Sequence, residues 1–464
     1  YSVAVSNGVG SAVSQAAILK ISNTLTVTLS PPAGGTVTPG FIGSTQRELG
    51  AEYTVIATPA RGFLFAGWTG GMSGSSRKVK FTMTPGLSLQ ANFVDDPFDS
   101  ARGSYHGLIQ TTPRAHKSSG RVTVAITASG SFTGDIRLAG VRHVMAGRFA
   151  WNGVAQFGPK AETTLFIRRA LPLKPLEVRL QLDVSASPSE RVTGTITDPD
   201  VFVAAISADH ALFTPASNPV MPRRNVPSDL LGAYTFLFPS IATDGAPLPL
   251  GNGWGRISVG ANGAVRLAGR LADGSAVSCA TALALDGSFP LYTPLYVRNG
   301  GVCGQVSLGT SNGSDVHGPI TWFKPVRLAR NPPSQGWPAG VTIELTGSHY
   351  VTTDQSGLRR AVASAPFLEN ARTAVVSLSG GDLLEDVILP VTSGVNQLRV
   401  TPPANPHGFR LSISPGTGIF HGRFLHPVSG RARGFTGVIL QQQNRAAGFF
   451  LGEDQSGEIV VTPN

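Results

Sequence analysis

The run Gly309-Thr310-Ser311-Asn312-Gly313, with Asp315 and His317 just beyond it, places a serine, a carboxylate and an imidazole in one short stretch. These are the side-chain types of a nucleophilic triad, and the pattern reads as G-x-S-x-G. A nucleophile elbow also needs a strand before the serine and a helix after it, so that the hydroxyl is aimed outward. Here Gly313-Ser314-Asp315-Val316-His317-Gly318-Pro319 leads straight into the alternating run Ile320-Thr321-Trp322-Phe323, with no helical pattern between. The stretch is therefore expected to be a hairpin turn, and the chain is not expected to be an enzyme. The other polar groups are scattered. Nine histidines include no H-E-x-x-H and no H-x-H, and His421 and His426 are separated by an odd offset, which on one strand turns them to opposite faces. Glu385 and Asp386 are adjacent and diverge in the same way, and Asp273-Gly274 and Asp286-Gly287 are turn dipeptides. Asp95, Asp96 and Asp99 lack the D-x-D-x-D-G loop that makes calcium binding specific. No metal and no cofactor is expected.

Two groups remain as candidates. Cys279 and Cys303 belong to no C-x-x-C and have no histidine at zinc-finger spacing. An even pair in a loop-rich β chain reads as one disulfide joining strands in 276–283 and 302–308, which would place the chain in an oxidising compartment. Two buried thiols are the alternative. The aromatics Trp254, Tyr292, Tyr296 and Trp322 fall in one region, and flat rings with polar neighbours can hold sugar rings. The same rings equally supply the core of a β domain.

Strands must position all of these residues. The chain has 464 residues with 56 Gly and 34 Pro, is 41% apolar and only 14% charged. Glycine and proline break helices and build turns, so the expected class is all-β: several small β-sandwich or β-barrel domains in series with very little helix. The net charge is +10, and arginine supplies 30 of the 37 basic side chains. That balance could attract polyanions such as acidic polysaccharide or nucleic acid, but arginine-rich coding bias on a solvated surface is the favoured reading. The densest basic run, Arg77-Lys78-Val79-Lys80, is a strand's polar face and not a nucleic-acid motif. No stretch of about 20 apolar residues is present to span a membrane as a helix.

An alternating strand, a glycine turn and a second alternating strand recur three times. The copies run from Val124 through Gly130 to Ile136, from Ile257 through Gly263 to Leu271, and from Leu411 through Gly418 to Phe424. Starts recur as well: Gly103-Ser104-Tyr105 resembles Gly232-Ala233-Tyr234. The spacing of about 130 residues is too long for a solenoid and suits duplicated β domains. The expected organisation is 1–22, 23–95, 96–225, 226–333 and 334–464, with Pro-rich stretches at 215–227 and 330–337 as separators.

Three resemblances extend this reading. Residues 1–22, two alternating runs around Asn7-Gly8, look like the last hairpin of an immunoglobulin-like domain of tandem bacterial surface proteins. Tyr1 opens inside a strand pattern, so the chain reads as part of something longer. The pattern Gly62-Phe63-Leu64-Phe65-Ala66-Gly67-Trp68, then Thr82-Met83, then Ala91-Asn92-Phe93 resembles the divergent internalin-type B-repeat domain, a β-rich spacer in surface and adhesion proteins. Read from the residues themselves, Phe63, Phe65 and Trp68 would anchor its small core, with an exposed Trp68 binding sugar as the alternative. Phrases such as Pro290-Leu291-Tyr292-Thr293-Pro294-Leu295-Tyr296 and Gly434-Phe435-Thr436-Gly437 resemble C-terminal regions of large secreted proteins of Verrucomicrobia-like bacteria, which implies location but no chemistry.

The expectation is a non-catalytic structural or adhesive segment of a secreted or cell-surface protein, within an assembled surface fibre. Its partners would be other copies of itself or other surface proteins, with acidic polysaccharide as a further partner and no specific nucleic acid. The alternatives are a carbohydrate-binding region appended to a polysaccharide-acting enzyme and an unrecognised hydrolase. Three polar side chains from separate strands meeting in one deep, water-poor cleft would overturn the non-catalytic reading.

Overall fold

A computed structural model of the chain describes residues 2–15, 20–150, 160–184, 190–199, 201–213, 224–240, 250–326, 336–351, 373–394, 397–400 and 405–463. Regular structure among them is nearly all strand. The chain divides into two compact units, one holding Tyr1–Asp99 with Ala150–Ala161, the other Ser100–Phe149 with Glu162–Asn464. Among the described residues no helix is long and apolar enough to cross a membrane.

The first unit opens on an exposed hairpin, Ala4–Asn7 against Gly10–Val13. Asn7 Oδ1 accepts from the amides of Val9 and Gly10, which shapes the turn. A four-stranded and a three-stranded sheet follow. In the four-stranded sheet Ser22–Ser30 runs parallel to Ser88–Asp95, which in turn pairs antiparallel with Phe63–Gly70. Alternation sends Leu25, Val27, Leu89, Ala91 and Phe93 to one face. There they meet Val55, Phe81 and Trp68, while Phe63 and Phe65 pack on the rim. Trp68 is 2% exposed, and its indole N–H donates to the Arg77 carbonyl. The ring is a core anchor and not a sugar platform.

The second unit contains two curled antiparallel sheets and a closed barrel. The first sheet has eight strands, from Gly103–Gln110 to Phe202–His210, and these two pair directly. The second has ten strands between Gly232–Phe238 and Thr346–Tyr350. It curls around one core that includes Tyr234, Phe236, Phe289 and Trp322. The barrel closes eight strands from Thr373–Gly380 to Ser456–Pro463 around Phe409, Phe420, Phe424, Phe435 and Phe450. Each such buried ring contributes about 1.5–3 kcal/mol. Trp337–Glu344 and Thr346–Tyr350 belong to the second sheet, through pairs such as Thr321↔Thr342 and Tyr234↔His349. The Pro-rich stretch before them reads in sequence as a separator, but the chain turns back to pair with strands already laid down.

The recurrences are structural. Gly130, Gly263 and Gly418 hold φ of 75°, 72° and 71°, a left-handed backbone that glycine adopts without strain. Each sits in a turn just before the hairpin's second strand. The two starts match in detail. Tyr105 donates to the Ala101 carbonyl and stacks on His210, its register partner on the closing strand. Tyr234 donates to the Asp229 carbonyl and meets His349, again its register partner. In both sheets this tyrosine–histidine clasp ties the first strand to the last.

Candidate functional site

The G-x-S-x-G run is a hairpin turn. Gly300–Ser311 pairs back on Ser314–His317 through Asn312 and Gly313, at φ 50° and 74°, the left-handed pair that a two-residue hairpin loop requires. Asp315 is engaged elsewhere: Thr310 Oγ1 donates to one carboxylate oxygen and the His349 amide to the other. Ser311 lies opposite Ser314, and His317 lies opposite Ser307. The pieces of a triad are present without its geometry.

The four sugar-binding candidates occupy three places, with Tyr292 and Trp322 buried and Trp254 and Tyr296 partly buried. Trp254 is half-buried between the second sheet and the barrel, packed with Leu237, Val438, Leu440 and Ala447. That seam is tied by Thr235 Oγ1 donating to the Ile439 carbonyl, by Asn252 donating to Glu458, and by Gln443 donating to the Gly313 and Gly347 carbonyls. Tyr292 is buried between the first and second sheets, where its hydroxyl accepts from the Gly140 amide at 2.7 Å. Burial pushes its phenol up to about 12. Tyr296 and Trp322 meet in a third place. Trp322 is 1% exposed and stacks edge-on to Trp337 at 4.6 Å. Packing accounts for Trp254, Tyr292 and Trp322, whereas Tyr296, in a turn and only partly buried, also faces an opening between the first and second sheets.

The disulfide expectation is corrected in the same region. Both cysteines are free thiols. The strand Ser288–Leu295 stands between them: the Cys279 thiol faces the Pro290 carbonyl, and Cys303 is the register partner of Tyr292. Their sides also differ. Cys279 packs on the second sheet's core, whereas Val302 and Val306 enter that core and turn Cys303 outward to Leu108 and Tyr292. Two strand spacings, about 10 Å, exceed the ~7 Å Cα limit for a bridge. Burial raises both thiols, Cys303 to about 11, so neither is an activated nucleophile at neutral pH.

A convergence of polar groups does exist, and sequence spacing concealed it. Asp273 comes from the turn after Ala264–Arg270, Tyr296 from the turn after Ser288–Leu295, and Lys324 from the end of Pro319–Lys324. Tyr296 Oη donates to Asp273 Oδ2 at 2.7 Å and accepts from Trp322 Nε1 at 2.9 Å. Lys324 Nζ lies 3.5 Å from the same carboxylate oxygen and 5.1 Å from the Trp337 ring centroid. The side chains of Lys324 and Asp273 are 3% and 4% exposed. Burial, with the Asp273 charge, holds the Tyr296 phenol far above its ordinary value. A buried acid, phenol and amine are the makings of proton-transfer chemistry. Asp273 and Lys324 themselves line neither the small cavity beside Trp322 nor the groove that Tyr296 borders. The cavity beside Trp322, lined by Phe238, Ala272, Val341 and Ile343, has a volume of about 10 Å³, at most one water. The group is a closed latch at one end of the second sheet.

The first and second sheets leave two larger openings on either side of the Leu108–Tyr292–Cys303 contact. One, of about 330 Å³, is polar. In it Arg191 pairs with Asp209 at 2.7 Å, Asp286 accepts from the Ser288 amide and hydroxyl, and Gln305 donates to Ser288. Both carboxylates are held by donors within the wall, unlike a general acid kept protonated by an apolar pocket. The other opening is a groove of about 560 Å³ whose lining includes Arg137, Arg142, Tyr296 and Arg298. Among the described residues no group of three or more His, Cys, Asp or Glu side chains could hold a metal ion.

The described residues form an all-β chain of several sheets and one closed barrel. Within it, residues 25–97 match the divergent InlB B-repeat domain family. No curated protein matches the chain. Solved structures to which it is similar include a transferrin binding protein B double mutant from Haemophilus parasuis Hp5, at 10% identity over 93% of this chain and 85% of that one, TM-score 0.18. Transferrin binding protein B from serogroup B Neisseria meningitidis is 11% identical over 79% and 75%, TM-score 0.17. Endo-1,5-alpha-L-arabinanase from Thermotoga petrophila RKU-1 is 8% identical over 74% and 96%, TM-score 0.18. At these TM-scores the likenesses carry no argument about fold or activity.

Proposed function

We propose that the chain is a non-catalytic structural or adhesive segment of an extracellular or cell-surface bacterial protein. The B-repeat match at residues 25–97 is the observation that carries this reading, since domains of this type serve as spacers in surface proteins. Support comes also from the chemistry. Among the described residues, the groups around Ser311, Asp286 and Asp273 form a hairpin turn, a hydrogen-bonded wall and a buried latch. The serial order of an immunoglobulin-like hairpin, a B-repeat and duplicated β domains belongs to the same proposal, as does association with other surface proteins.

Turnover tests it. Incubated with a panel of plant, algal and bacterial polysaccharides, the purified chain is expected to release no new reducing ends above a heat-denatured control. Release that depends on Asp273 or Asp286 would replace this reading with a hydrolase.

A further inference from the structure

On the first sheet, Arg121 on Gly120–Ile126, Arg137 on Ser131–Leu138 and Arg142 on Val141–Arg148 are successive register partners. Three guanidinium groups thus stand side by side across three adjacent strands, an arrangement that repels itself. The ion pair in this row is Arg142 with Asp135, at 3.5 Å, with side chains 59% and 16% exposed. The Nε atoms of Arg121 and Arg137 are enclosed and meet no hydrogen-bond acceptor among the described residues.

A fourth arginine faces it from the second sheet. Tyr296, Val297 and Arg298 hold φ of 52°, 54° and 69° in succession, a left-handed turn of non-glycine residues of the kind that concentrates at ligand clamps. His116 Nε2 donates to the Arg298 carbonyl at 2.9 Å, tying the turn to the first sheet's side. Across from it Gly140, at φ 80°, lets Arg298 lie close; a Cβ there would come within 2.9 Å of the Arg298 side chain. Arg137, Arg142 and Arg298, with Tyr296, line the one groove of about 560 Å³, within the size range of ligand sites.

We propose that this groove binds the carboxylate or sulfate groups of an acidic polysaccharide, with Arg137, Arg142 and Arg298 as the anion contacts and Tyr296 as a wall for the sugar ring. Arginine's planar fork suits bidentate oxyanion recognition. The strand spacing of about 4.8 Å sets the arginines apart by a distance comparable with one sugar residue. Duplex nucleic acid is disfavoured, because it calls for a longer basic stripe with many phosphate contacts. The inference rests on the non-catalytic, adhesive reading above.

The test measures binding of the full chain to immobilised polygalacturonate, heparin and neutral dextran at low and high salt, with duplex DNA as competitor. Retention on one or both acidic glycans, weakened by salt and absent on dextran, is expected; polygalacturonate against heparin tells carboxylate from sulfate recognition. The double variant Arg137→Gln, Arg298→Gln is expected to bind on the order of tenfold more weakly or worse. Arg266→Gln, an exposed arginine on another strand, is expected to bind as the native chain does, and melting curves of both variants to match the native one. No retention on either acidic glycan would overturn the site, as would undiminished binding by the double variant. Competition by DNA at equal charge concentration, lost in the same variant, would overturn it in favour of nucleic acid. None of these results bears on turnover, so the site and the non-catalytic reading fail separately.

Discussion

Asp273→Ala is expected to destabilise the second unit by about 3–5 kcal/mol, the cost of removing one member of a buried ion pair. Asp273 accepts from the Ser275 amide, from Tyr296 Oη and, at 3.5 Å, faces Lys324 Nζ. Truncation takes away all three interactions and leaves the ammonium, 3% exposed, without that counter-charge. Asp273→Asn keeps the size and one acceptor but not the charge, and is expected to cost less. Adding Lys324→Met to Asp273→Asn is expected to recover part of the loss, because an apolar stem can replace a buried charge once its partner is gone. Chemical denaturation of the four proteins, followed by tryptophan fluorescence, measures the differences. A loss below about 1 kcal/mol for Asp273→Ala, the range of exposed pairs, would mean that water reaches the latch.

Trp322→Ala is expected to cost a comparable ~3–5 kcal/mol. The ring is 1% exposed, packs edge-on to Trp337 and donates to Tyr296 Oη. Its removal opens a cavity next to the latch and strips Tyr296 of a donor. Trp322→Phe fills much of that space and is expected to keep the fold. These two variants separate packing from recognition. A sugar platform would lose glycan retention in Trp322→Phe at unchanged stability; a core residue loses stability in Trp322→Ala and leaves retention by folded Trp322→Phe untouched. The second pattern is expected, read by melting and by retention on the same glycan surfaces.

What was legible in the sequence was local. Period-two alternation and glycine turns announced the strands, and Gly130, Gly263 and Gly418 occupy the left-handed positions their context implied. Asn312-Gly313 likewise identified a hairpin inside a tempting G-x-S-x-G. The rest depended on contacts between residues far apart along the chain. Nothing in the spacing of Asp273, Tyr296 and Lys324 brings them together; three separate connections of the second sheet do. Cys279 and Cys303 are an even pair on neighbouring stretches, yet an intervening strand and opposite side-chain directions keep them apart. The arginine row had a readable signal: Arg137 and Arg142 flank the turn Ala139-Gly140 symmetrically, so recognising that turn would have paired them. Arg298 carried none, because only the contact between the two sheets brings it near Gly140.

The claim beneath this account is that Asp273 and Lys324 are sealed from water, a fastening and not a site. Amine acetylation of the native chain, read residue by residue by mass spectrometry, tests it directly. Lys20 and Lys80, with side chains 69% and 62% exposed, are expected to label rapidly, while Lys324 labels only after denaturation. Labelling of Lys324 in the folded protein at a rate near that of Lys80 would show the latch open to solvent and contradict the account.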